Sequence, residues 1–546
     1  MTKKLLAILL AVLMLSGILA SCGETSSGGK SGSRKSASTE SESGSGREDN
    51  ETLKVLQPEP SKDEKPSATT GADDKNEPSQ DKPNWNDPYA YINEYVESLA
   101  AERTFDGATF TILGRGLSEN DGGYTHNGAF PMAEELIGSL ENDALFNRQK
   151  ALEDIFDIDI VTANVERGDY DGPGVPTALL VIDAVNAGLP TYDLVDGNIS
   201  IAGKYLLEKN ALMEVHELEA VDFSQSWWLN DLEDQLSMNG GLYFLAGKIS
   251  TQHYSDASCI LFNKRVAEDY AIEEPYEAVK SGKWTFDKMN EIASVIQGGG
   301  DTYRYMLWWG DALSFYFGAG YSITEKDSSD IPSVASSLPN EAADYIHKLG
   351  SVFGDTDISY NYLKPAAYGA TSWADMEENR DMFNEEKVLF WVTDMGTIAE
   401  MRQYDVEFGI LPIPKRDASQ KEYISYTQAG VVSAFYVPSN VKDPTMVGYV
   451  VEGMAALSEK YLEPAYYEIS LVQRGVYDMD SKEMLDIIYT TKKLDMADIF
   501  GFGDIANLID NNCNGSKEDL AAEYASKVKI ANNSVKSLLK AVVSNK

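Results

Sequence analysis

From residue 108 onward the chain alternates short apolar runs with amphipathic stretches, and that alternation constrains the fold more than any other feature. Residues 108–113 read as a strand closed by Gly114. Residues 143–156 carry Leu145, Phe146, Leu152 and Ile155 at helical spacing. Residues 157–163, rich in Ile and Val, form the next expected strand. A helix is expected over 176–186, stopped by Gly188, and a strand over 192–195 that runs into Asp196-Gly197. Strands separated by helices of ten to fifteen residues pair in parallel through right-handed crossovers. Ligands of such sheets gather beyond the carboxyl ends of the strands. The loops after Leu113 and Val195 are therefore the first places to look, with Arg115 and Asp196 as candidates.

Upstream the composition changes. Residues 23 to about 83 are Ser, Gly, Glu, Lys, Asp and Pro, with Leu53, Val55 and Leu56 as the large apolar exceptions. Such a chain buries too little surface to offset its ordering entropy and is expected to be a disordered linker. A flexible coil of this length spans on the order of 45 Å r.m.s.. The stretch Gly-Gly-Lys-Ser at 28–31 is no phosphate loop, because Glu24 stands where the first glycine belongs and no strand precedes it. At the start, Lys3 and Lys4 precede an apolar run over 5–19 of signal-peptide length. It ends in Leu19-Ala20-Ser21-Cys22, which resembles the bacterial lipobox. The resemblance implies cleavage before Cys22 and acylation of that residue, and two or three acyl chains anchor stably where one does not. An ordinary secretory signal with a chance cysteine is the alternative.

Lys and Arg number 46 against 87 Asp and Glu, a formal charge of −41. So acidic a surface argues against nucleic acid and against anionic headgroups as partners. After Cys22 only Cys259 and Cys513 remain. Two buried free thiols are expected, a disulfide between them being the alternative; about 440 residues suffice for a large apolar core without a disulfide framework. No later segment has the length and apolarity of a membrane span, and no internal repeat is present. The folded part is expected to open with a helix, capped by Asp87 with Pro88 at its first position, and with Ile92, Tyr95, Val96 and Leu99 on one face.

Catalytic signatures are missing from the sequence. His126, His216, His253 and His347 show no metal-ligand spacing, and no nucleophile elbow or dinucleotide fingerprint occurs in the folded part. No enzyme activity, cofactor or metal is expected. Paired carboxylates are too common in this chain to exclude a glycosidase dyad by counting, so a surface glycoside hydrolase stands as an alternative.

The order of elements resembles the carbohydrate-type (family 1) extracellular solute-binding proteins of bacterial ABC importers, the large group that includes maltose-binding protein. The resemblance is carried by Tyr192-Asp193-Leu194-Val195, by Gly241-Leu242-Tyr243-Phe244-Leu245, which is similar to a hairpin before the first crossover, and by Ile260-Leu261-Phe262-Asn263-Lys264, similar to the crossover strand. Trp284-Thr285-Phe286-Asp287 is similar to a helix start with Thr285 as N-cap. Residues 383–390 resemble the segment before a ligand-facing loop, with Glu386 in place of the usual glycine, and residues 408–415 the return crossover. The resemblance covers roughly residues 105–510 and rests on order and spacing rather than on any one motif. It implies an α/β, two-lobed periplasmic-binding-protein-like (type II) fold, each lobe a mixed sheet flanked by helices, joined by crossover strands and closing by hinge motion. The implied organisation is a signal peptide (1–21), a linker (22–83), an N-terminal helix (84–103), lobe one (104–260 and 415–460) and lobe two (261–414 and 461–546). Ser516 and Asp519 are expected to cap the last helix, with Leu520, Tyr524, Val528, Val535 and Leu539 along one face.

What the resemblance implies is an extracytoplasmic, lipid-anchored monomer that delivers a small solute to ABC permease subunits, a sensor-coupled receptor being another alternative. Sugar rings stack on aromatic faces while their hydroxyls need carboxylates and amides. The candidates are accordingly Trp227, Trp228, Trp308, Trp309, Asp311, Trp373, Asp394, Gly396 and Tyr426, with Gln428 near the second crossover. Each has a plainer reading: a tryptophan in a large domain is more often core, and Asp394 equally suits a helix N-cap.

Overall fold

The chain divides into two units, Met1–Gln80 and Asp81–Lys546. The computed structural model describes residues 87–115, 132–133, 135–165, 176–308, 310–362, 375–401, 403–473, 476–477, 479–516 and 519–545, all in the second unit. Cys22, the apolar run before it and the whole of the linker lie outside the described residues, as do Trp309 and Trp373.

The opening helix is Ala90–Glu102. Asp87 Oδ1 accepts the Tyr89 N–H at 2.9 Å, and Pro88 lies in the turn before the helix rather than at its first position. Ile92, Val96 and Leu99 are buried.

The strands are β1 (Ala108–Arg115), β2 (Ile158–Val165), β3 (Leu194–Asn198), β4 (Ser258–Asn263), β5 (Tyr303–Trp308), β6 (Thr324–Lys326), β7 (Pro332–Val334), β8 (Ser359–Tyr362), β9 (Val388–Asp394), β10 (Phe408–Leu411), β11 (Ser425–Tyr426) and β12 (Ser433–Tyr436). One sheet has the order β12-β3-β1-β2; β1 runs parallel to β2 and β3, and β12 is antiparallel to β3. The second has the order β10-β4-β9-β5-β8, with β5 parallel to β8 and β9 and with β4 antiparallel to β9 and β10. The parallel pairs are those the strand–helix alternation requires, and their covering helices Leu140–Phe156 and Pro176–Ala187 match the sequence pattern closely. Thr285 Oγ1 accepts the Lys288 N–H, as an N-cap should. The segment 241–245 forms no hairpin ladder; Leu245 bridges antiparallel to Phe435 of β12 instead.

Strand β12 returns the chain to the first sheet, and the helix Pro444–Leu471 then packs on Leu140–Phe156. Contact is so close that a Cβ on Gly453 would lie 2.5 Å from the Phe156 ring. The last stretch is shared between the lobes. The helix Met479–Thr490 packs beside β10, whereas the helix Leu520–Asn545 spans both lobes. Its Asn532 brackets the Val334 backbone of β7 at 3.1 and 3.0 Å, and its end meets lobe one, where Tyr243 Oη donates to Val542 O at 3.3 Å. Asp519, not Ser516, caps this helix: its Oδ1 accepts the Ala522 N–H at 3.1 Å. The β6–β7 hairpin also reaches lobe one. Asp330 O and Oδ2 accept the N–H groups of Asn239 and Gly240 at 2.8 and 2.9 Å, and Lys326 Nζ donates to Glu233 O and Ser237 Oγ.

Chain segments cross between the lobes side by side. Ala257 bridges Thr427, and β11 pairs in parallel with Lys492–Lys493. An ion pair buried among them joins Lys492 Nζ to Asp256 Oδ1, and the same ammonium donates to His253 O at 2.7 Å. Burial lifts the Asp256 carboxyl to about 6 despite that partner, and depresses both Lys492 and His253. The apolar core is continuous through this region, from Phe110 and Leu113 through Tyr426 and Phe500 to Trp284 and Phe390. Cys259 and Cys513 are both buried and free.

Candidate ligand site at the carboxyl edges of the two sheets

The segment 425–432 links the carboxyl edges of both sheets. On the lobe-one side, β3 ends at Asn198, whose Nδ2 donates to Ala429 O at 3.1 Å and to Gly430 O at 3.0 Å. The Asn198 Oδ1 accepts the N–H groups of Ser200 and Ile201, capping the turn that follows the strand, and Ser200 Oγ donates to Ala429 O at 2.9 Å.

On the lobe-two side, β5 ends at Trp308 and turns back at Gly310. Gly310 sits at φ +102, and a Cβ there would come within 3.1 Å of Gln428 Oε1, so the turn favours glycine on both counts. Asp311 Oδ2 accepts the Trp308 N–H at 2.7 Å, and its Oδ1 accepts Gln428 Nε2 at 3.0 Å. Asp510 holds the other face of the turn, accepting the N–H groups of Gly310 and Leu313 at 3.1 and 3.0 Å. Strand β9 ends at Asp394, in register with Ser258. Asp394 Oδ1 accepts the Thr397 N–H at 3.2 Å, capping the helix Gly396–Met401 and occupying one of its two oxygens. Desolvation pushes the buried Asp311 carboxyl well above the usual range, and the neighbouring charges of Asp394 and Asp510 push it the same way.

Of the residues singled out from sequence, the structure therefore brings Trp308, Asp311 and Asp394 to one edge, with Gln428 between them and lobe one. Trp308, Asp394 and Gln428 are partly exposed there. Gly396 is buried at the head of its helix, where its N–H donates to Ser255 O at 3.0 Å. Arg115 closes β1 at the corresponding edge of lobe one.

Other candidates belong to the core. Trp227 and Trp228 are 2% and 3% exposed. Their indole N–H groups donate to the two oxygens of Glu452, each at 3.1 Å, so ring and donor are both spent internally. Tyr426 is fully buried, its ring stacked on Phe317 at 4.0 Å and its hydroxyl donated to Asp498. Asp196 is fully buried in β3, opposite Phe435. Its place inside the sheet, two residues short of the strand end, keeps it from the edge that Asn198 occupies.

Sequence reasoning passed over Asn198, Ser200, Asp498 and Asp510. For Asn198 a signal existed: Asn followed two residues later by Ser, directly after a predicted strand, is a capping pattern. Asp498 and Asp510 carry no local signal of their place at this edge, because the groups there that they accept from lie 69 to 72 and 197 to 200 residues away.

No protein-family model matches the sequence, and no curated protein matches it. Solved structures do. A sugar transporter from Rhizobium etli, in an open conformation, aligns over 78% of this chain and 99% of its own at 14% identity and a TM-score of 0.51. Apo RafE from Streptococcus pneumoniae aligns over 80% and 98% at 14% identity and TM-score 0.48. An ABC transporter solute-binding protein from Thermotoga lettingae, bound with α-D-tagatose, aligns over 79% and 100% at 13% identity and TM-score 0.47. The first of these establishes the fold: a two-lobed, periplasmic-binding-protein-like (type II) α/β architecture.

Proposed function

We propose that this chain is an extracytoplasmic solute-binding protein that captures a sugar or oligosaccharide between its lobes and hands it unchanged to an ABC importer. One observation carries the reading. The carboxyl edges of two sheets, each furnished with polar side chains, converge on a single crossing segment, where side-chain amides and carboxylates can grip hydroxyls from both sides. The partly exposed Trp308 offers an indole face for the C–H side of a sugar ring, while Asp394, with one oxygen free of its capping bond, and Gln428 can bond hydroxyls. Arg115 and the neighbouring Trp309 and Trp373 are proposed wall residues on sequence grounds. Fold likeness to a sugar transporter adds to the sugar reading.

In this reading Cys22 carries the acyl anchor and the linker to about residue 83 holds the folded part off the membrane. The protein works as a monomer whose partners are permease subunits, and it performs no chemistry. A ligand shifts the lobes toward closure only by binding that state better than the open one.

The test is a thermal-shift screen of the purified protein, without its first 22 residues, against mono- and oligosaccharides, amino acids and peptides, with calorimetric titration of any hit. A stabilising sugar whose binding Trp308→Ala weakens is the expected outcome. No response across the sugar panel, or turnover of an oligosaccharide, would sink the reading.

A further inference from the structure

The turn after Trp308 is held from outside its own strand by a line of buried side chains. The turn closes on itself through the Asp311 N–H on Trp308 O at 3.1 Å and the Leu313 N–H on Gly310 O at 3.3 Å. Its outer anchor is Asp510, on the helix Ile505–Cys513, which accepts the N–H groups of Gly310 and Leu313. Behind Asp510 stands Asn514. Its Nδ2 donates to Asp510 Oδ2 at 3.1 Å and to Asp510 O at 2.9 Å, and its Oδ1 accepts Asn361 Nδ2. Asn361 lies in β8, in register with Leu307 of β5, each one residue before the end of its strand. Asp510, Asn514 and Asn361 are 1%, 1% and 4% exposed.

The direction of this relay is fixed. The Asp510 oxygens, each taking a backbone N–H, act as acceptors, so Asn514 turns its amide nitrogen toward Asp510 and its oxygen toward Asn361. Asn361 must then donate, and its own Oδ1 is left buried with no hydrogen-bond partner among the described residues. A buried acceptor without a donor carries a desolvation cost that a leucine of similar volume would avoid. What asparagine supplies there, and leucine does not, is the tie from the end of β8 to Asp510. The place of Asn514 is itself set by close backbone approach. A Cβ on Gly350, in the helix Asn340–Phe353, would lie 2.4 Å from Asn512 O, and one on Gly515 would lie 2.6 Å from Gly354 Cα. The chain on both sides of Asn514 is therefore clamped, and the relay starts from a rigid base.

We propose that Asp510 is the positioning residue of the Trp308 wall, and that Asn514 and Asn361 form a one-way amide relay through which it fixes the ends of β5 and β8 relative to each other. The proposal rests on the reading of this edge as the ligand wall. Its test uses no ligand, so the two can fail separately.

The protein is labelled with 5-fluorotryptophan and its fluorine spectrum recorded. The line lost in Trp308→Phe identifies Trp308; the lines of the buried Trp227 and Trp228, found in the same way, serve as core references. Asp510→Asn should move the Trp308 line by more than its width and leave the reference lines in place. Asn361→Leu, which cuts the relay but leaves Asp510 on the turn, should move it less. The double variant Asp510→Asn/Asn361→Asp puts the acceptor at the β8 end and lets the Asn514 amide turn over, and should bring the Trp308 line part of the way back. Asn512→Ala, on the same helix but with an amide that donates to Leu508 O at 2.9 Å, should lower the melting temperature and leave the Trp308 line alone. An unmoved Trp308 line in Asp510→Asn, or a shift no larger than that in Asn512→Ala, overturns the proposal. A double variant no closer to the parent than Asp510→Asn overturns it too. Where Asp510→Asn does not fold, Asn361→Leu decides alone, and an unmoved Trp308 line there overturns the proposal. The capture reading fails separately, by the ligand screen, whatever these spectra show.

Discussion

Trp227-Trp228 and Trp308 sit in the same kind of sequence, an adjacent pair of tryptophans with a carboxylate a few residues on, and the fold gives them opposite fates. The first pair lies inside lobe one. Both indole N–H groups end on Glu452, which also accepts the Tyr95 hydroxyl at 2.8 Å and the Asp222 N–H at 3.3 Å. This cluster ties the opening helix Ala90–Glu102 to the helix Pro444–Leu471, helped by bonds from Tyr91 to Glu459 and from Lys460 to Asn93. Trp308 instead ends a strand at a sheet edge, its backbone held by Asp311 and the residue as a whole partly exposed. An indole whose donor is already matched by a buried carboxylate is structural. Trp308, at a strand's carboxyl end, packs against the second apolar cluster and is only partly buried.

The largest expected effect comes from breaking the buried side of the comparison. Trp227→Ala should cost about 3–5 kcal/mol in urea unfolding, as truncation of a large buried aromatic does. Trp308→Ala should cost much less by the same measurement. Equal losses would erase the distinction.

The next effect is a pH dependence. Burial lifts the Glu452 carboxyl to about 7, against donors that pull it down. A carboxyl raised above its unfolded value binds its proton more readily in the folded state, so its ionisation destabilises the fold as pH rises. Stability should therefore fall between about pH 4.5 and 7, by on the order of 3 kcal/mol from this group alone. Glu452→Gln should flatten that part of the profile in paired unfolding curves at pH 5 and pH 7.5. An unchanged difference between parent and variant at both pH values would contradict it.

At the edge, Trp308→Ala should weaken the sugar found in the screen about tenfold, near 1.4 kcal/mol, by calorimetry. Trp228→Ala, where it folds, should leave that affinity alone.

The smallest effect separates the two roles of Asp394. Asp394→Ala loses the cap of Gly396–Met401 and should cost about 1 kcal/mol of stability. Asp394→Asn keeps capping ability, and should lose affinity at nearly unchanged melting temperature. A variant that loses neither would reduce Asp394 to a surface residue.

Period and punctuation made lobe one's first sheet readable: the strands at 108, 158 and 194 and their covering helices follow from apolar spacing, and Thr285 follows from its capping pattern. The same local reading expected two free thiols in Cys259 and Cys513. It misassigned Trp227, Trp228 and Tyr426 because nothing near them in sequence reveals Glu452, more than 220 residues on, or Asp498, 72 residues on.

The sequence by itself determined an acidic α/β chain whose helix-linked strands β1, β2 and β3 pair in parallel, since these are consequences of short-range periodicity and composition. Tertiary structure alone decided which aromatic rings stay inside, which of several carboxylates are spent on backbone amides, and where the crossing segment passes from one lobe to the other. The physical reason is that burial and hydrogen-bond satisfaction depend on partners hundreds of residues apart, and a buried polar group is read correctly only once the atom that satisfies it is known.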